Sequence, residues 1–519
     1  MTDSRAPEAA EFAFDPLTPA GFLTRSASVF PERTAIVDGD RSFTYAQFAE
    51  RSLALTGLLA DAGIGPGDRV AALCTNSHVM LEMHHGVPLR GAVLVPLNIR
   101  LAVDELVHIV EHSGTTLLVA TADLAPAARE VADRTDVRLI VDDTYEDLLS
   151  GAEPQPADAV GERDLLAINY TSGTTGGPKG VMYHHRGAYL QALAMAYHTG
   201  LGAASRYLWT LPMFHCNGWC FPWAVTAAGA THVCLRAIDV EEIWRLLRGQ
   251  GITHYSAAPT VLSMIAGATG AEDGPLESDV HVDTGGAPPS PALLERLARL
   301  RMHVTHLYGL TETFGPLAIN EWHPDWDRLE EGEQSRLRAR QGVSNVIARP
   351  LRVVDETGTD VPADGRCVGE IVARGNDVML GYYRDEQATR DATVDGWFRT
   401  GDLAVMFPDR YVEIRDRRKD LIVSGGENIA SVEVEQAIDS HPAVLESAVV
   451  GVPDPRWGEV PVAYVTLRPG DRTDAEEITA HVRSRIAGFK VPKQLIFGEL
   501  PKTSTGKIQK NVLRSRRPR

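Results

Sequence analysis

The chain has little cysteine, no long hydrophobic run and no basic amino terminus. Five cysteines among 519 residues do not supply a disulfide framework, and this number fits a reducing compartment. No stretch approaches the roughly 18 consecutive apolar residues of a membrane-spanning helix. Residues 1–21 carry acids and prolines, whereas a secretory signal would begin with basic residues and continue with an apolar core. We therefore expect a cytoplasmic protein with no integral membrane association.

Positive charge is also in deficit. The chain has 51 lysines and arginines against 69 aspartates and glutamates, which gives a net charge of −18 and a pI near 5.4. Because a net-negative surface repels phosphate groups, nucleic acid and anionic membranes are excluded as general partners. With 44% hydrophobic and 23% charged residues the composition is that of an ordinary globular protein. The length predicts about three to four domain-sized units.

Short β-rich runs alternate with amphipathic stretches over the first 400 residues. Such alternation is typical of α/β architecture with largely parallel sheets. From about residue 351 the strands follow one another without helices, which indicates an antiparallel, barrel-like piece. The sequence therefore predicts a multidomain α/β protein. Its large N-terminal part, residues 1–416, consists of stacked α/β subdomains with a β-rich subdomain at about 351–416, and residues 417–519 form a small α+β C-terminal domain.

The most informative local segment is NYTSGTTGGPKGV at residues 169–181. Glycines let backbone N–H groups approach phosphate oxygens, and hydroxyls and a lysine add donors and positive charge. The P-loop of NTPases would require glycine and then serine or threonine where this chain has Pro178 and Gly180. The segment therefore predicts a polyphosphate-binding loop that is not a P-loop. Its candidate phosphate-binding residues are Thr171, Ser172, Gly173, Thr174, Thr175, Gly176 and Lys179.

A second segment, LPMFHCNGWC at residues 211–220, places a histidine between an aromatic residue and a cysteine. His215, Cys216 and Cys220 are residue types that bind metals. However, no second Cys/His pair with zinc spacing lies nearby in the sequence, which argues against a metal site here.

The phosphate loop is one of six ordered segments through which the chain resembles the adenylate-forming superfamily, and within it the acyl-CoA synthetases, or AMP-dependent acid–CoA ligases. The other five are TGGAPPS (284–290), HLYGLTET (306–313), GWFRTGDLA (396–404), DRRKDLIVSGGENIASVEVE (416–435) and PKTSTGKIQK (501–510). Residues 30–165 resemble the family only in their general alternation of strand-like and helical patterns. The segments at 211–220 and 322–341 most resemble ligases of short-chain, medium-chain or aryl acids, such as methylmercaptopropionate–CoA ligase.

The resemblance implies a two-step reaction. A carboxylic acid reacts with ATP to give an acyl-AMP and pyrophosphate, and the acyl group is then transferred to coenzyme A. ATP, Mg²⁺ and CoA are the implied cofactors and co-substrates. The family also implies that the C-terminal domain is hinged and rotates between the two half-reactions, so that each step is completed by a different face of that domain.

The resemblance further assigns nucleotide-binding roles residue by residue. Glu312 is expected to bind Mg²⁺, because a hard cation prefers carboxylate oxygen, and Thr175 is a second candidate ligand. Thr311 is expected to bond the α-phosphate. Asp402 is expected to accept from the ribose hydroxyls, with Arg417 beside it. The expected adenine site comprises Gly285, Gly286, Ala287, Pro288, Gly309 and Tyr308, whose ring would stack on the base.

The remaining roles concern the acid and the thiol. Lys507 is expected to stabilise the charge shared by the carboxylate and the α-phosphate during adenylation. Phe214, His215 and Trp219 are expected to form the acid pocket, with His215 also acting on the carboxylate. The C-terminal residues Ser424, Gly425 and Gly426 are expected to line the access of the thiol, and Lys419 marks the hinge.

Three alternatives remain open from the sequence. The enzyme could deliver its acyl group to the pantetheine of a carrier protein, or it could activate nitrite for diazotisation of an arylamine. A member that binds nucleotide without catalysis is the third. The identity of the acid and the choice between monomer and homodimer also stay open.

Overall fold

The computed structural model describes residues 14–156, 160–171, 178–286, 289–468, 470–502 and 508–516. The strands are β1 (Thr34–Asp38), β2 (Arg41–Thr44), β3 (Arg69–Leu73), β4 (Val93–Pro96), β5 (Leu117–Ala120), β6 (Arg138–Val141), β7 (Leu165–Thr171), β8 (Lys179–His184), β9 (Arg206–Leu208), β10 (Thr231–Val233), β11 (His254–Ser256), β12 (Val280–Thr284), β13 (Met302–Leu310), β14 (Gly315–Ile319), β15 (Val343–Ser344), β16 (Arg352–Val354), β17 (Val368–Ala373), β18 (Gly381–Tyr382), β19 (Thr393–Val394), β20 (Trp397–Met406), β21 (Val412–Arg417), β22 (Ile422–Ser424), β23 (Glu427–Ile429), β24 (Val444–Asp454), β25 (Gly458–Leu467) and β26 (Gln494–Phe497).

The helices, some of them single turns, connect these strands. They are α1 (Ala20–Val29), α2 (Tyr45–Asp61), α3 (His78–Leu89), α4 (Val103–Ser113), α5 (Ala125–Thr135), α6 (Asp142–Ser150), α7 (His185–Thr199), α8 (Cys216–Trp219), α9 (Phe221–Ala227), α10 (Val240–Gly249), α11 (Pro259–Gly267), α12 (Pro291–Arg299), α13 (Glu331–Arg338), α14 (Glu386–Asp391), α15 (Ser431–Asp439), α16 (Ala475–Arg483) and α17 (Lys510–Ser515). A 3-10 turn at Thr311–Thr313 follows β13. Within the described ranges, none of the helices combines the length and the apolar character that crossing a bilayer requires.

Two large sheets form the N-terminal part. Over the described residues the first has seven strands in the order β18-β8-β7-β4-β3-β5-β6, and the second has nine in the order β15-β14-β13-β12-β11-β9-β10-β1-β2. The five strands from β7 to β6 in the first sheet run parallel, as do the strands from β13 to β1 in the second. Large aromatic side chains from both sheets and from the helices between them, including Phe48, Tyr183, Trp209, Trp223 and Phe314, pack into one core.

Two smaller sheets follow, each with five strands among the residues described. The first contains β16, β17, β19, β20 and β21, and the second contains β22 to β26. In the second, helices α15 and α16 pack their buried apolar residues on the sheet. The turn after β21 leads directly into β22 and so joins the two sheets in the chain.

The predicted fold class is confirmed: a large α/β part with a β-rich piece precedes a small α+β domain. Two details of the β-rich segment differ from the prediction of strands alone. Strand β18 leaves that segment and pairs antiparallel with β8 of the seven-stranded sheet. Helix α14 was not predicted because it is polar and therefore has no apolar periodicity. Its first turn is capped by the Asp385 carboxylate, which accepts from the Ala388 N–H at 2.9 Å. The domain boundary at residue 416 stays a prediction.

Candidate active site

The predicted phosphate loop lies between two strands that pair with each other. Strands β7 and β8 are antiparallel, with Tyr170 opposite Gly180 and Thr171 opposite Lys179. A P-loop instead joins a strand to a helix, so this strand–loop–strand arrangement agrees with the prediction of a different kind of phosphate loop. The intervening candidates lie outside the described residues: Ser172, Gly173, Thr174, Thr175 and Gly176.

Glu312 and Lys179 converge on a tyrosine that the sequence reasoning missed. The Tyr382 hydroxyl donates to Glu312 Oε1 at 2.8 Å, and Lys179 Nζ lies 4.9 Å from the centroid of the Tyr382 ring. Burial and the nearby Glu312 charge raise the pKa of the Tyr382 phenol, so the hydroxyl stays protonated and can donate. Strand β18 carries Tyr382 alongside β8, which explains a proximity that spans some two hundred residues of sequence. The predicted magnesium ligand and the predicted phosphate-binding lysine are therefore neighbours.

Thr311 is held at both its backbone and its side chain. Its carbonyl oxygen accepts a hydrogen bond from the Tyr183 hydroxyl at 2.5 Å, and its Oγ1 lies 3.6 Å from Cys216 Sγ. Burial raises the pKa of the Cys216 thiol to about 12, so the sulfur is a protonated donor. Because Thr311 Oγ1 accepts from the thiol, the hydrogen of its own hydroxyl is available to another acceptor, as a phosphate contact would require.

The predicted ribose-binding residues form a hydrogen-bonded set. Asp402 on β20 stands opposite Arg417 on β21, and Arg417 Nε lies 3.2 Å from Asp402 Oδ1. The other carboxylate oxygen accepts from the Tyr308 hydroxyl at 2.7 Å. Burial and the Asp402 charge raise the pKa of Tyr308, which keeps the phenol protonated. Three residues predicted from three separate motifs are thus in mutual contact.

Glycines allow the close approach of backbone around this set. A Cβ on Gly285 would lie 3.0 Å from the Leu307 carbonyl oxygen, and one on Gly309 would lie 1.9 Å from the Gly315 oxygen. Gly286 adopts a φ of 87°, a left-handed value that other residues rarely take. Two further adenine-site predictions, Ala287 and Pro288, lie outside the described residues.

The segment after His215 has an unusual backbone. Five consecutive residues, 216–220, have positive φ values between 42° and 64°, and only one of them is glycine. A left-handed turn costs roughly 1–2 kcal/mol for each non-glycine residue, and such strain is concentrated at functional sites. The turn places the Trp219 indole against two glycines: a Cβ on Gly285 would lie 3.1 Å from Trp219 Cη2, and one on Gly315 would lie 3.7 Å from Trp219 Cδ1.

Phe214 and His215 lie at a different surface from the Trp219 indole. Together with Cys216, Thr311 and Asn169 they line a cavity of about 40 Å³, which also contacts Pro96, Asn98, Leu101, Ile109 and Tyr170. The cavity adjoins Thr311, the predicted contact of the α-phosphate, so Phe214 and His215 lie beside that threonine, whereas Trp219 is not among the described residues that line the cavity.

The described residues that were predicted for thiol access and for the hinge lie in two turns. Gly425 and Gly426, with φ values of 61° and 87°, form a two-residue hairpin turn in which Ser424 pairs with Glu427. A Cβ on Gly425 would lie 2.7 Å from Trp457 Cε3, so a side chain there would displace the indole. Lys419 lies in the turn between β21 and β22, and the adjacent Arg418 pairs with Glu370 at 3.1 Å. Lys507 lies outside the described residues.

Comparison with known proteins gives consistent matches. The model of the AMP-binding enzyme family matches residues 23–383, and that of the AMP-binding enzyme C-terminal domain matches residues 433–507. A peroxisomal acetate/butyrate–CoA ligase of Arabidopsis thaliana is 42% identical over 96% of this chain and 94% of its own length. A 2-methylpropanoate–CoA ligase of Humulus lupulus is 42% identical over 96% and 95%. A solved o-succinylbenzoate coenzyme A synthetase of Bacillus subtilis, in complex with ATP and a magnesium ion, is similar with a TM-score of 0.83, 29% identity and coverage of 95% and 98%.

Proposed function

This chain belongs to the AMP-binding enzyme family, and on that premise we propose that it is an AMP-forming CoA ligase for short-chain carboxylic acids. The family chemistry proceeds in two balanced steps. A carboxylate oxygen attacks the α-phosphorus of ATP, the bond to the bridging oxygen breaks, and pyrophosphate leaves. The CoA sulfur then attacks the acyl carbon, the bond to AMP breaks, and the thiol proton is released. A carboxylate alone resists the second attack because further negative charge would build on an anion.

The choice of short-chain acids rests chiefly on the position of Trp219. Its indole fills the space between Gly285 and Gly315, where a longer acyl chain would have to pass beside the nucleotide-binding segments. The cavity beside Phe214 and His215 is itself only about 40 Å³. The acids in the names of the similar plant enzymes, acetate, butyrate and 2-methylpropanoate, support the same class of acid for this chain.

The nucleotide-side contacts support the predicted roles. Asp402, held by Tyr308 and Arg417, would accept from the ribose hydroxyls, and the glycines at 285 and 286 would leave room for a flat base beside it. Thr171 and Lys179 stand at the two ends of the phosphate loop and would bring donors to the triphosphate. Thr311, accepting from Cys216, would donate its hydroxyl hydrogen to the α-phosphate.

The residues also fit a magnesium ion bound with ATP. Glu312 offers a carboxylate, the ligand type that Mg²⁺ prefers, and it lies next to the cationic Lys179 through their common contact with Tyr382. Glu312 and Thr175 would hold the ion, whose charge would offset that of the triphosphate. Tyr382 orients the carboxylate, and Lys179 adds a second positive charge on the phosphate side.

The acid-side and C-terminal assignments complete the proposal. Phe214 and Trp219 would form the pocket walls, and His215 would orient the carboxylate. Lys507 would act during adenylation, and rotation at Lys419 would then replace it with the thiol path along Ser424, Gly425 and Gly426. We further propose a cytoplasmic location, which the five free thiols support by indicating a reducing compartment.

A matched acid panel tests the short-chain assignment. Acid-dependent ATP–pyrophosphate exchange and CoA thioester formation would be measured for acetate, butanoate, hexanoate and benzoate on the native enzyme and on Trp219→Gly. We expect the native enzyme to prefer the shorter acids, and Trp219→Gly to raise the relative kcat/KM of hexanoate by about 10–200-fold, the range associated with methylene groups in an apolar pocket. The KM for ATP should stay unchanged.

The control is Trp326→Gly, which removes a partly exposed indole that contacts Tyr411 far from Gly285. An unchanged acid ranking in Trp219→Gly, together with a several-fold higher KM for ATP, would place Trp219 in the nucleotide site and contradict the proposal. Parallel assays would use nitrite with an arylamine, or a carrier protein in place of CoA. Product formation with either of them but not with CoA would identify a different acceptor.

A further inference from the structure

We propose that Asn169 is a positioning residue for acid selection. Through a clasp with Asn217 it holds the left-handed turn of residues 216–220 and thereby fixes Trp219 against Gly285 and Gly315. This inference rests on the proposed role of Trp219 as a wall of the acid pocket. Asn169 lies on β7, the strand that precedes the phosphate loop. The inference therefore adds a residue of this strand to those that determine which acid is accepted.

The clasp consists of two hydrogen bonds from one carboxamide. Asn169 Nδ2 donates to Asn217 Oδ1, and Asn169 Oδ1 accepts from the backbone N–H of Asn217 at 3.1 Å. Both side chains are buried, Asn217 completely. A single side chain therefore binds both the backbone and the side chain of the second residue in the turn, which fixes the orientation of the turn and not only its distance from β7.

The turn needs an external restraint because its backbone is strained. Asn217 has φ 42° and ψ 52°, and Trp219 has φ 51°, values that a non-glycine residue adopts only when its surroundings enforce them. Inside the turn, the Cys220 N–H bonds the Asn217 carbonyl at 3.0 Å. Gly218 packs under Trp209, where a Cβ would lie 2.9 Å from the ring, so the turn has no room to shift on that side.

The residue type at position 217 points to the clasp and not merely to the shape of the turn. Glycine would adopt this left-handed conformation without strain and would bury no polar group. Asparagine instead leaves its Nδ2 buried with no hydrogen-bond partner among the described residues, which is costly. The bond that its Oδ1 accepts from Asn169 offsets this cost, and it explains why an amide side chain is present there.

Asn169 also lines the cavity beside Phe214 and His215, but it acts on the Trp219 wall through the turn that it holds. It lies on β7 opposite Val181, two residues before Thr171, and its side chain reaches the turn two residues before Trp219. Loss of the clasp should let the strained turn relax and the indole leave the space between the two glycines. The acid preference would then move in the same direction as when the indole is removed.

The test is a double-mutant cycle on acid preference. Asn169→Ala is expected to raise the kcat/KM of hexanoate relative to acetate by about tenfold, the lower end of the range for one methylene contact, with the KM for ATP within about twofold of the native value. In a Trp219→Gly background the same substitution should leave the acid ratio unchanged, because the indole through which Asn169 acts is absent.

Asn217→Gly is the second variant and keeps a backbone that accepts positive φ. It removes one of the two clasp bonds, so it should shift the acid ratio in the same direction and by less than Asn169→Ala. If Asn169→Ala fails to fold, this variant decides the question, since an unchanged ratio would overturn the clasp. Asn320→Ala is the matched control: it removes a buried carboxamide that donates to the Leu337 and Arg340 carbonyls, and it should lower thermal stability without changing the acid ratio.

The outcomes separate this inference from the function on which it rests. If the acid ratio changes in Trp219→Gly but not in Asn169→Ala, the role of Trp219 as a pocket wall is supported and the role of the clasp is contradicted. An equal loss of kcat for all acids in Asn169→Ala, or additive effects in the double variant, would also overturn it by showing a purely structural role. An unchanged acid ratio in Trp219→Gly would contradict both the role of Trp219 as a pocket wall and the role of the clasp.

Discussion

At the scale of single residues, Tyr382 is the most informative addition to the predicted site. It donates to the carboxylate of Glu312 at 2.8 Å and carries Lys179 over its ring. A carboxylate that binds a metal is usually oriented by such a neighbour, and loss of the neighbour weakens metal binding without removing the ligand. We therefore propose that Tyr382 orients the Glu312 carboxylate for magnesium binding.

Tyr382→Phe removes only the hydroxyl. We expect the half-saturating magnesium concentration for pyrophosphate exchange to rise about tenfold, the scale of a hydrogen bond to a charged group. Glu312→Gln should have a larger effect on the adenylation rate with the fold intact. Tyr383→Phe is the control, because its hydroxyl donates to the Ser113 carbonyl and not to Glu312. Equal magnesium titrations for the native enzyme and Tyr382→Phe would contradict the assignment.

At the scale of elements, a buried ionic network joins β1, α2, α3 and α6. His78, the first residue of α3, contacts Asp38 on β1 at 2.7 Å and Glu146 on α6 at 2.9 Å, while Arg51 on α2 pairs with Glu146. Burial disfavours the charged imidazole, but the bonds to Asp38 and Glu146 outweigh this and raise the pKa of His78 to about 9. The bond to His78 lowers the pKa of Glu146 to about 2.

The network should give the fold a defined pH dependence. The raised pKa of His78 means that its contribution is complete below its unfolded value of 6.5 and is lost as the pH rises through about 9. The lowered pKa of Glu146 means that its contribution is complete above its unfolded value of 4.5 and is lost as the pH falls through about 2. The network is therefore strongest between these two unfolded values.

His78→Gln tests this dependence by urea unfolding at two pH values. The free-energy difference between the native protein and the variant should shrink by about 2–3 kcal/mol between pH 6 and pH 10, since a shift of one pKa unit corresponds to about 1.4 kcal/mol. His303→Gln, which changes a ring that is 58% exposed, should show no such change. A difference that is the same at both pH values would show that folding does not raise the pKa of His78.

At the scale of the whole molecule, the connection between the two parts of the chain is short and charged. Asp416 at the end of β21 accepts from the Ser431 hydroxyl at 2.9 Å, and Arg418 pairs with Glu370 of the β-rich sheet. Such polar contacts break at lower cost than an apolar core, which is consistent with the proposed rotation at Lys419.

Lys507→Ala should separate the two half-reactions. If this lysine acts only in adenylation, pyrophosphate exchange should fall by at least about a hundredfold, the scale of losing one transition-state donor. Thioester formation from supplied acyl-AMP and CoA should survive. Lys502→Ala, which removes a nearby lysine paired with Glu446, is the matched control and should spare both steps. Equal losses in the two half-reactions of Lys507→Ala would argue against domain alternation.

The sequence alone determined the fold class and the family. The roles of Tyr308, Asp402 and Arg417 in the nucleotide site were each predicted from a separate motif through its resemblance to the adenylate-forming family, and they stay predictions. The five parallel strands of the seven-stranded sheet were also visible in the sequence, since buried parallel strands are short apolar runs between helical patterns.

Only the tertiary structure decided how these parts meet. The pairing of β18 with β8, which brings Tyr382 to Glu312, depends on a strand of two residues with no pattern of its own. The clasp joins Asn169 and Asn217 across 48 positions, and the left-handed turn that it holds leaves no periodic signal in the sequence. Backbone strain and long-range side-chain pairing arise from the packing of the whole chain, so the packing of Trp219 against Gly285 and Gly315 became apparent only in three dimensions.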